Sequence, residues 1–560
     1  MLRSTVPTLV ALAVPLASHA FPQAEPLVVA GDVLPGAGTV TEVWSVAVND
    51  AGDWIAAVSA DQLPPNGQAL VRNGVVVLQA GDALPGFVPN FSFTAARSLE
   101  LNAPGSYSYL TLSSPSPIGV ASGAYVDLAP LALAGATVTA PGITPGTTYS
   151  GFYDVVLDDG GTLVAHAFMN DPAILGIHDA VLMRLSPQGG GGVLETDLVK
   201  RGDVLPGQVS PVHEFSEVSH GLAASDAGEV LFVVRLQNSQ TAVYRDQTLL
   251  AESGGISPIF GRTWQSFFRM PVAIGDGGDY AFGGRLSGDL ETAHMLVWNG
   301  IKLVQQGDVL PDIDPFAIDD LAIGVGASIP SPLRLTSNGR ILWFGAWTDP
   351  DDTRDSGLFL DHELLVQEGV TRSGGVPVDD FEDSSSFPGR PIFDMSESGE
   401  FIVFRARLAD GRVGAFRIRT TAAAIPMSDC TGNLATLSGG QGPSVGGAAV
   451  LSMDGGQAVG VVGMVAFAAQ PIAGWPPCGL VLPGVGELVI DVTPGLPLFT
   501  VSGLFPSWLG FALPVVVPIP DQLSLLGQTV YAQGLFVDTS GVAPAEPLRL
   551  TNGVELRIGM

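Results

Sequence analysis

Four aspartates recur in one phrase, Gly-Asp followed by a small apolar residue, Leu and Pro: Asp32, Asp82, Asp203 and Asp308. On equivalent loops of a repeating structure, four carboxylates could ring one face and hold a hard cation such as Ca²⁺ or a polar ligand, because such ions take oxygen donors. The periodicity favours a plainer role, in which each Asp caps its own turn through backbone hydrogen bonds. Catalysis needs one asymmetric centre and not four copies. Acidic loops at residues 312–320, 349–355 and 379–383 are also oxygen-rich. In the middle one Asp349, Asp351 and Asp355 are candidate Ca²⁺ ligands, yet the loop lacks the sixth-position Gly and closing Glu of a tight calcium loop. A solvated loop is the favoured reading there, and Ca²⁺ is the one cofactor for which the sequence offers donors.

The histidines after residue 20 (His166, His178, His213, His220, His294 and His362) show no zinc-ligand spacing. His213 and His220, with Glu214 and Glu217 between them, form the nearest approach to a metal or acid–base group, and ordinary packing is the favoured reading. Gly442-Pro443-Ser444-Val445-Gly446 spells a nucleophile elbow but lies in a Gly-rich β stretch, not at a strand-to-helix turn. Arg201-Gly202-Asp203 belongs to the repeat frame. No phosphate loop or dinucleotide fingerprint is present. A non-catalytic role is therefore expected.

The elements that carry these residues repeat. A turn with a small polar first residue and a fourth-position Gly appears as Asn49/Gly52, Asn102/Gly105, Asp158/Gly161, Ser225/Gly228, Thr336/Gly339 and Ser396/Gly399, with Gly275/Gly278 as the variant. The glycines are spaced by 53, 56, 67, 50, 61 and 60 residues, enough for a four-stranded blade. Pro104 stands third in its turn, which type I geometry disfavours, so the second unit is expected to be distorted. The strand after each turn is apolar on both faces, as in a sheet covered on both sides. The Gly-Asp phrase first occurs before any hairpin, and the seventh hairpin ends without one. An N-terminal strand that completes the last blade would close the ring and remove its free edges. Residues 21–420 thus read as a seven-bladed β-propeller closed by an N-terminal strand.

Residues 1–20 have the form of a signal peptide: Arg3, an apolar run over 6–16, and Ser18-His19-Ala20 as a small-x-small cleavage site. Export, to the cell surface or the extracellular space, is the expectation. The net charge of −31 and the presence of only two lysines, Lys200 and Lys302, argue against nucleic acid or an anionic membrane as partner. Residues 421–428 read as a linker, and 429–560 as an antiparallel β-sandwich of short strands between Gly/Pro/Asp turns. Cys430 and Cys478, the only cysteines, are expected to pair in an exported chain. Their loop would contribute about 4 kcal/mol in the chain-entropy treatment.

Two resemblances attach here. The run from Pro518-Ile519-Pro520-Asp521-Gln522-Leu523 through Leu526-Gly527-Gln528-Thr529-Val530-Tyr531 to Leu550-Thr551-Asn552-Gly553-Val554 resembles the C-terminal module of large secreted proteins of planctomycete-type bacteria. Asn49, Gly52 and Ala57 match the Asn-x-x-Gly-x-x-x-x-Ala core of secreted bacterial tandem-repeat proteins, which the first half resembles. Neither resemblance implies a catalytic mechanism. The chain ends without an apolar tail and basic stop, so no transmembrane anchor is expected. The expectation is a monomeric, exported binding or scaffolding protein with a polysaccharide or protein ligand and a sorting or attachment module. The alternative is a secreted lyase or glycoside hydrolase with its carboxylates at the mouth of the propeller channel.

Overall fold

The strand that follows each turn sets the architecture, because it has no polar face to give to water. Trp54–Ala60, Val230–Leu236 and Phe401–Leu408 are buried along almost their whole length in the computed structural model. The structure describes residues 24–86, 92–114, 123–173, 179–216, 220–321, 331–381 and 392–420. Beyond them it describes 423–427, 433, 435–439, 443–444, 447–454, 461–468, 470–472, 480–482, 486–491, 499–504, 513–519, 525, 528–538 and 548–559. The expected signal peptide, Cys430 and Cys478 lie outside the described residues, as do His178 and Glu217.

The fold is all-β and β-propeller-like. Among the described residues the first part of the chain makes seven small antiparallel sheets in succession, over 33–79, 92–133, 148–200, 212–252, 264–305, 318–367 and 372–419. Each buries both faces against its neighbours. One apolar cluster joins the first sheet to the second through Leu70, Phe93 and Tyr109, and another joins the third to the fourth through Val164, Phe215 and Phe232. The cluster of Val28, Val43, Val48, Phe401 and Ala415 joins the seventh sheet to the first.

At that last junction Glu25–Val29 pairs antiparallel with Val413–Arg419, with Glu25 opposite Arg417 and Val29 opposite Gly414. Arg417 Nε and Nη2 donate to Glu25 (3.0 and 2.8 Å), Nη1 donates to the Gly52 carbonyl (2.8 Å), and the guanidinium lies 5.4 Å from the Phe401 ring centroid. A Cβ on Gly52 would sit 2.7 Å from Phe401 Cζ, and Gly52 has φ +76°, so only glycine fits that turn.

Two sequence expectations are corrected. Residues 423–427, expected within a linker, form the strand Ala423–Met427 paired with Leu548–Arg557. The Ala-Ala-Ile-Pro run suits an edge strand, where Pro need not donate. The turn of Pro104 closes like the others, with Gly105 N–H donating to Asn102 O at 2.9 Å. Distortion in that sheet lies upstream, as a register break between Arg97 and Glu100 with Ser98 at φ 46°.

The C-terminal residues make a five-stranded sheet, a three-stranded sheet and a small hairpin. One apolar cluster joins Leu437, Leu451 and Met453 of the three-stranded sheet to Val465, Phe536, Val554 and Leu556 of the five-stranded one.

Removing residues 21–30 exposes the strand 413–419 and uncovers the seat of Val28 and Val29, which are 2% and 5% exposed. The expected result is a loss of at least about 3 kcal/mol, read as a lower urea midpoint or melting temperature by circular dichroism. Unchanged melting would show that closure is not set by this strand.

Candidate functional site

Seven turns of one type stand at one end of the ring. In each, the fourth-position Gly N–H donates to the first residue's carbonyl, at 2.9 Å in Gly52, 3.1 Å in Gly161 and 2.8 Å in Gly399, and the Gly has positive φ. A type I turn followed by a left-handed Gly is the usual way to join two strands in this manner. The turns also bond to one another. Asn49 Nδ2 donates to Asn102 O (3.1 Å), and Asn102 Nδ2 to Asp158 O (3.0 Å).

The second turn residue is acidic in five of seven: Asp50, Asp159, Asp226, Asp276 and Glu397. Their carboxylates take backbone donors from the adjacent turn: Ala103 N–H to Asp159 (2.8 Å), Asp159 N–H to Asp226 (2.6 Å), Asp226 N–H to Asp276 (2.7 Å) and Ser398 N–H to Asp50 (2.8 Å). Asp159, Asp226 and Glu397 each bring an oxygen within 4.8 Å of the others, the one such group among the described residues. These oxygens are donors of the type a hard cation takes. Burial, then the charge of neighbouring acids, raises Glu397 to about 8. Burial raises Asp226 to about 6, with Asp276 and Asp159 adding to it against the donated Asp159 N–H. A cation would have to displace those protons, so any affinity would rise with pH.

Behind the turns, the innermost strands of all seven sheets line a cavity of about 130 Å³. The residue two places before each turn faces it in six sheets. Four repeats place a small or apolar residue at this position, Ala47, Val156, Ala223 and Ala273; the others place Glu100, Arg334 and Asp394. Arg334 Nε donates to Asp394 Oδ1 (2.5 Å), and Asp394 Oδ2 accepts from Val48 N–H (3.0 Å). Glu100 Oε2 accepts from Leu157 N–H (2.7 Å). Each carboxylate therefore satisfies the unpaired backbone of the next sheet's edge strand, joining two sheets across the channel wall. Burial raises the Glu100 carboxyl to about 8, against the opposing effects of Arg334 and the Leu157 N–H. At neutral pH Glu100 is a carboxylic acid beside an ion pair.

The aspartates singled out in the sequence lie elsewhere. Asp32, Asp82, Asp203 and Asp308 each accept the N–H three residues back, from Val29, Gln79, Lys200 and Gln305, at 2.8 to 2.9 Å. Gly-Asp thus turns the chain out of one sheet and into the next, and none of these carboxylates belongs to the one potential metal-ligand group among the described residues. In the 349–355 loop, Asp349 accepts from Asp351 N–H (2.9 Å) and Asp351 from the Thr353 hydroxyl (2.7 Å), while the Asp355 carbonyl accepts from Trp347 N–H (2.8 Å). Glu214 pairs with Arg235 at 2.7 Å, and burial pushes the His220 imidazole down to about 3. Glu100, Arg334, Asp394 and the turn acids were missed. Aligning the repeats on their turn glycines would have shown the three charged exceptions at a position otherwise filled by Ala or Val.

Glu100, Glu397, Asp226 and Asp154 all have folded pKa values raised by burial, the last to about 6. Groups of this kind stabilise the fold fully below their unfolded values near 4 and lose that contribution as pH rises through 6 to 8. The melting temperature is therefore expected to fall between pH 5 and pH 8.5. Glu397→Gln is expected to flatten the slope and raise the pH 8.5 value by a few degrees. A profile that is flat in the wild type would contradict the assigned environments.

No family model and no curated protein matches the chain. Among solved structures it is similar to the alpha-L-arabinanase of Penicillium chrysogenum complexed with arabinobiose, at 10% identity and TM-score 0.27 over 71% of this chain and 98% of that one. It is also similar to a glycosyl hydrolase from Bacteroides ovatus, at 13% identity and TM-score 0.20 over 48% of this chain and 84% of that one. Likeness at this level carries no argument about activity.

Proposed function

We propose that the chain is an exported, non-catalytic binding or scaffolding protein of the cell surface or extracellular space. In this reading residues 21–420 are a seven-bladed β-propeller closed by its N-terminal strand, and they serve as a rigid ligand platform. The C-terminal β-sandwich serves sorting or attachment. The observation that carries the reading is how the channel charges are used. Asp394 and Glu100 hold the backbone of the next sheet's edge strand, and Arg334 is paired to Asp394. A general acid or base must instead reach the substrate's proton. The cavity of about 130 Å³ is also well below the roughly 300 Å³ at which small-molecule pockets begin. It does not admit a sugar chain, so a ligand of that size would have to engage the loops.

A second reading, a secreted lyase or glycoside hydrolase, draws on one observation. Glu100 is protonated at neutral pH and stands in the channel with the ionisable Asp394, as an acid and base pair would. The two readings separate on a polysaccharide panel assayed in parallel for retention of the protein and for release of reducing or unsaturated ends. Retention without product, equal in wild type and Glu100→Gln, is the expected result. Product formation that Glu100→Gln abolishes while leaving the melting temperature intact would replace the platform by the enzyme.

A further inference from the structure

Midway along the inner strands of the second and third sheets, Ser92–Leu101 and Thr148–Leu157, and beside Ser216 and His220 of the fourth, the polar groups are not all satisfied. Arg97 is 8% exposed, and its buried Nε has no hydrogen-bond partner; among the described residues its other guanidinium nitrogens make no hydrogen bond either. Burial destabilises this cation, and Tyr153 is the one neighbour that opposes the effect. In a site this enclosed a guanidinium without an anion is destabilised. The chain has 55 acidic residues, any of which could have been placed there.

The same junction holds further idle donors and acceptors. His166 is 2% exposed, with its ring tilted against that of Tyr153 (centroids 5.5 Å apart) and Nε2 unpartnered; His220 (9%) and Ser216 (5%) also keep an unpartnered ring nitrogen and hydroxyl. Asp154, the neighbour of Tyr153, ties the three strands together. It accepts from the Ser98 hydroxyl at 2.6 Å and from His220 N–H at 3.1 Å. Ser98 and His220 both hold positive φ, 46° and 76°, a conformation non-glycine residues keep only where the surroundings impose it. Unsatisfied burial and backbone strain coincide there, at residues next to Arg97 in sequence or space.

We infer that Arg97 binds the carboxylate of a small ligand at this junction, beside Tyr153. A planar guanidinium fork matches a carboxylate with two parallel N–H donors. Charge decides between carboxylate and phosphate. Both imidazoles are neutral, so Arg97 supplies a single positive charge, which one carboxylate balances; a phosphate dianion would leave a buried negative charge in an already acidic protein.

The test uses the full exported chain, melted in sodium acetate or sodium glucuronate against sodium chloride of equal ionic strength. Either carboxylate is expected to raise the wild-type melting temperature by a few degrees. A response to acetate alone assigns a small free acid, and a larger response to glucuronate assigns an acidic sugar. Arg97→Met removes an unpaired buried charge, so it is expected to melt at the same or a higher temperature without ligand and to lose the carboxylate response. A merely structural arginine behaves oppositely. An Arg97→Met protein that melts lower, or keeps the response, overturns the site, as does a wild type that distinguishes neither carboxylate from chloride.

Discussion

A circle of sheets has one junction that the chain does not cross in sequence, and everything else depends on it. Six neighbouring pairs are held by connections of four to fourteen residues, whereas the seventh and first sheets meet through residues about 350 to 390 positions apart. The structure answers with redundancy. Beyond the backbone pairing of Glu25–Val29 with Val413–Arg419, Asp394 accepts Val48 N–H, Asp50 accepts Ser398 N–H, and Arg405 donates to the Val43 carbonyl. Each bond contributes only about 1 kcal/mol on its own, but losing the Val48 N–H to Asp394 bond or the Arg405 to Val43 carbonyl bond would leave a buried group unpaired.

Arg417 shows how this junction borrows a device from the others. A guanidinium on one sheet reaches the turn glycine of the next in Arg184 to Gly228 O (2.5 Å), Arg245 to Gly278 O (2.8 Å) and Arg417 to Gly52 O (2.8 Å), and the Arg72 side chain lies against Gly105 in the same way. Of the 24 basic residues in 560, four arginines are thus placed at seams between sheets. Arginine suits the task because its charge is permanent and its fork addresses a fixed carbonyl.

The turn signature, the two-sided apolar strands and the early Gly-Asp phrase made the succession of sheets legible, because each is a local pattern with one geometric meaning. A second hairpin device was just as local and went unread. Asn73, Asp127, Asp246, Asn299 and Asp361 take positive φ, and their side chains accept the first N–H of the strand beginning at Trp54, Tyr107, Val230, Tyr280 and Ile341. Asn73-Gly74 and Asn299-Gly300 are the hairpin dipeptides that announce it. The candidate site was illegible for another reason. Its channel residues are departures from the repeat, and a reading tuned to recurrence values Asp32 and its copies above Glu100 or Arg334.

That difference bears on how function is read in any repeat. The recurring aspartates are saturated, each by the same backbone donor three residues back, and saturation is what a structural role requires. The channel exceptions Glu100 and Asp394 are also engaged, by donors from the next sheet, so their irregular placement serves the seams of an irregular ring. Arg97 and the idle nitrogens of His166 and His220 satisfy neither description: they are irregular, buried and unengaged. Buried groups without partners stand elsewhere too, Arg285 Nε and Trp298 Nε1 among them; at the Arg97 junction they coincide with two residues held at positive φ, and stability given up in that way is what a site kept for a partner would require.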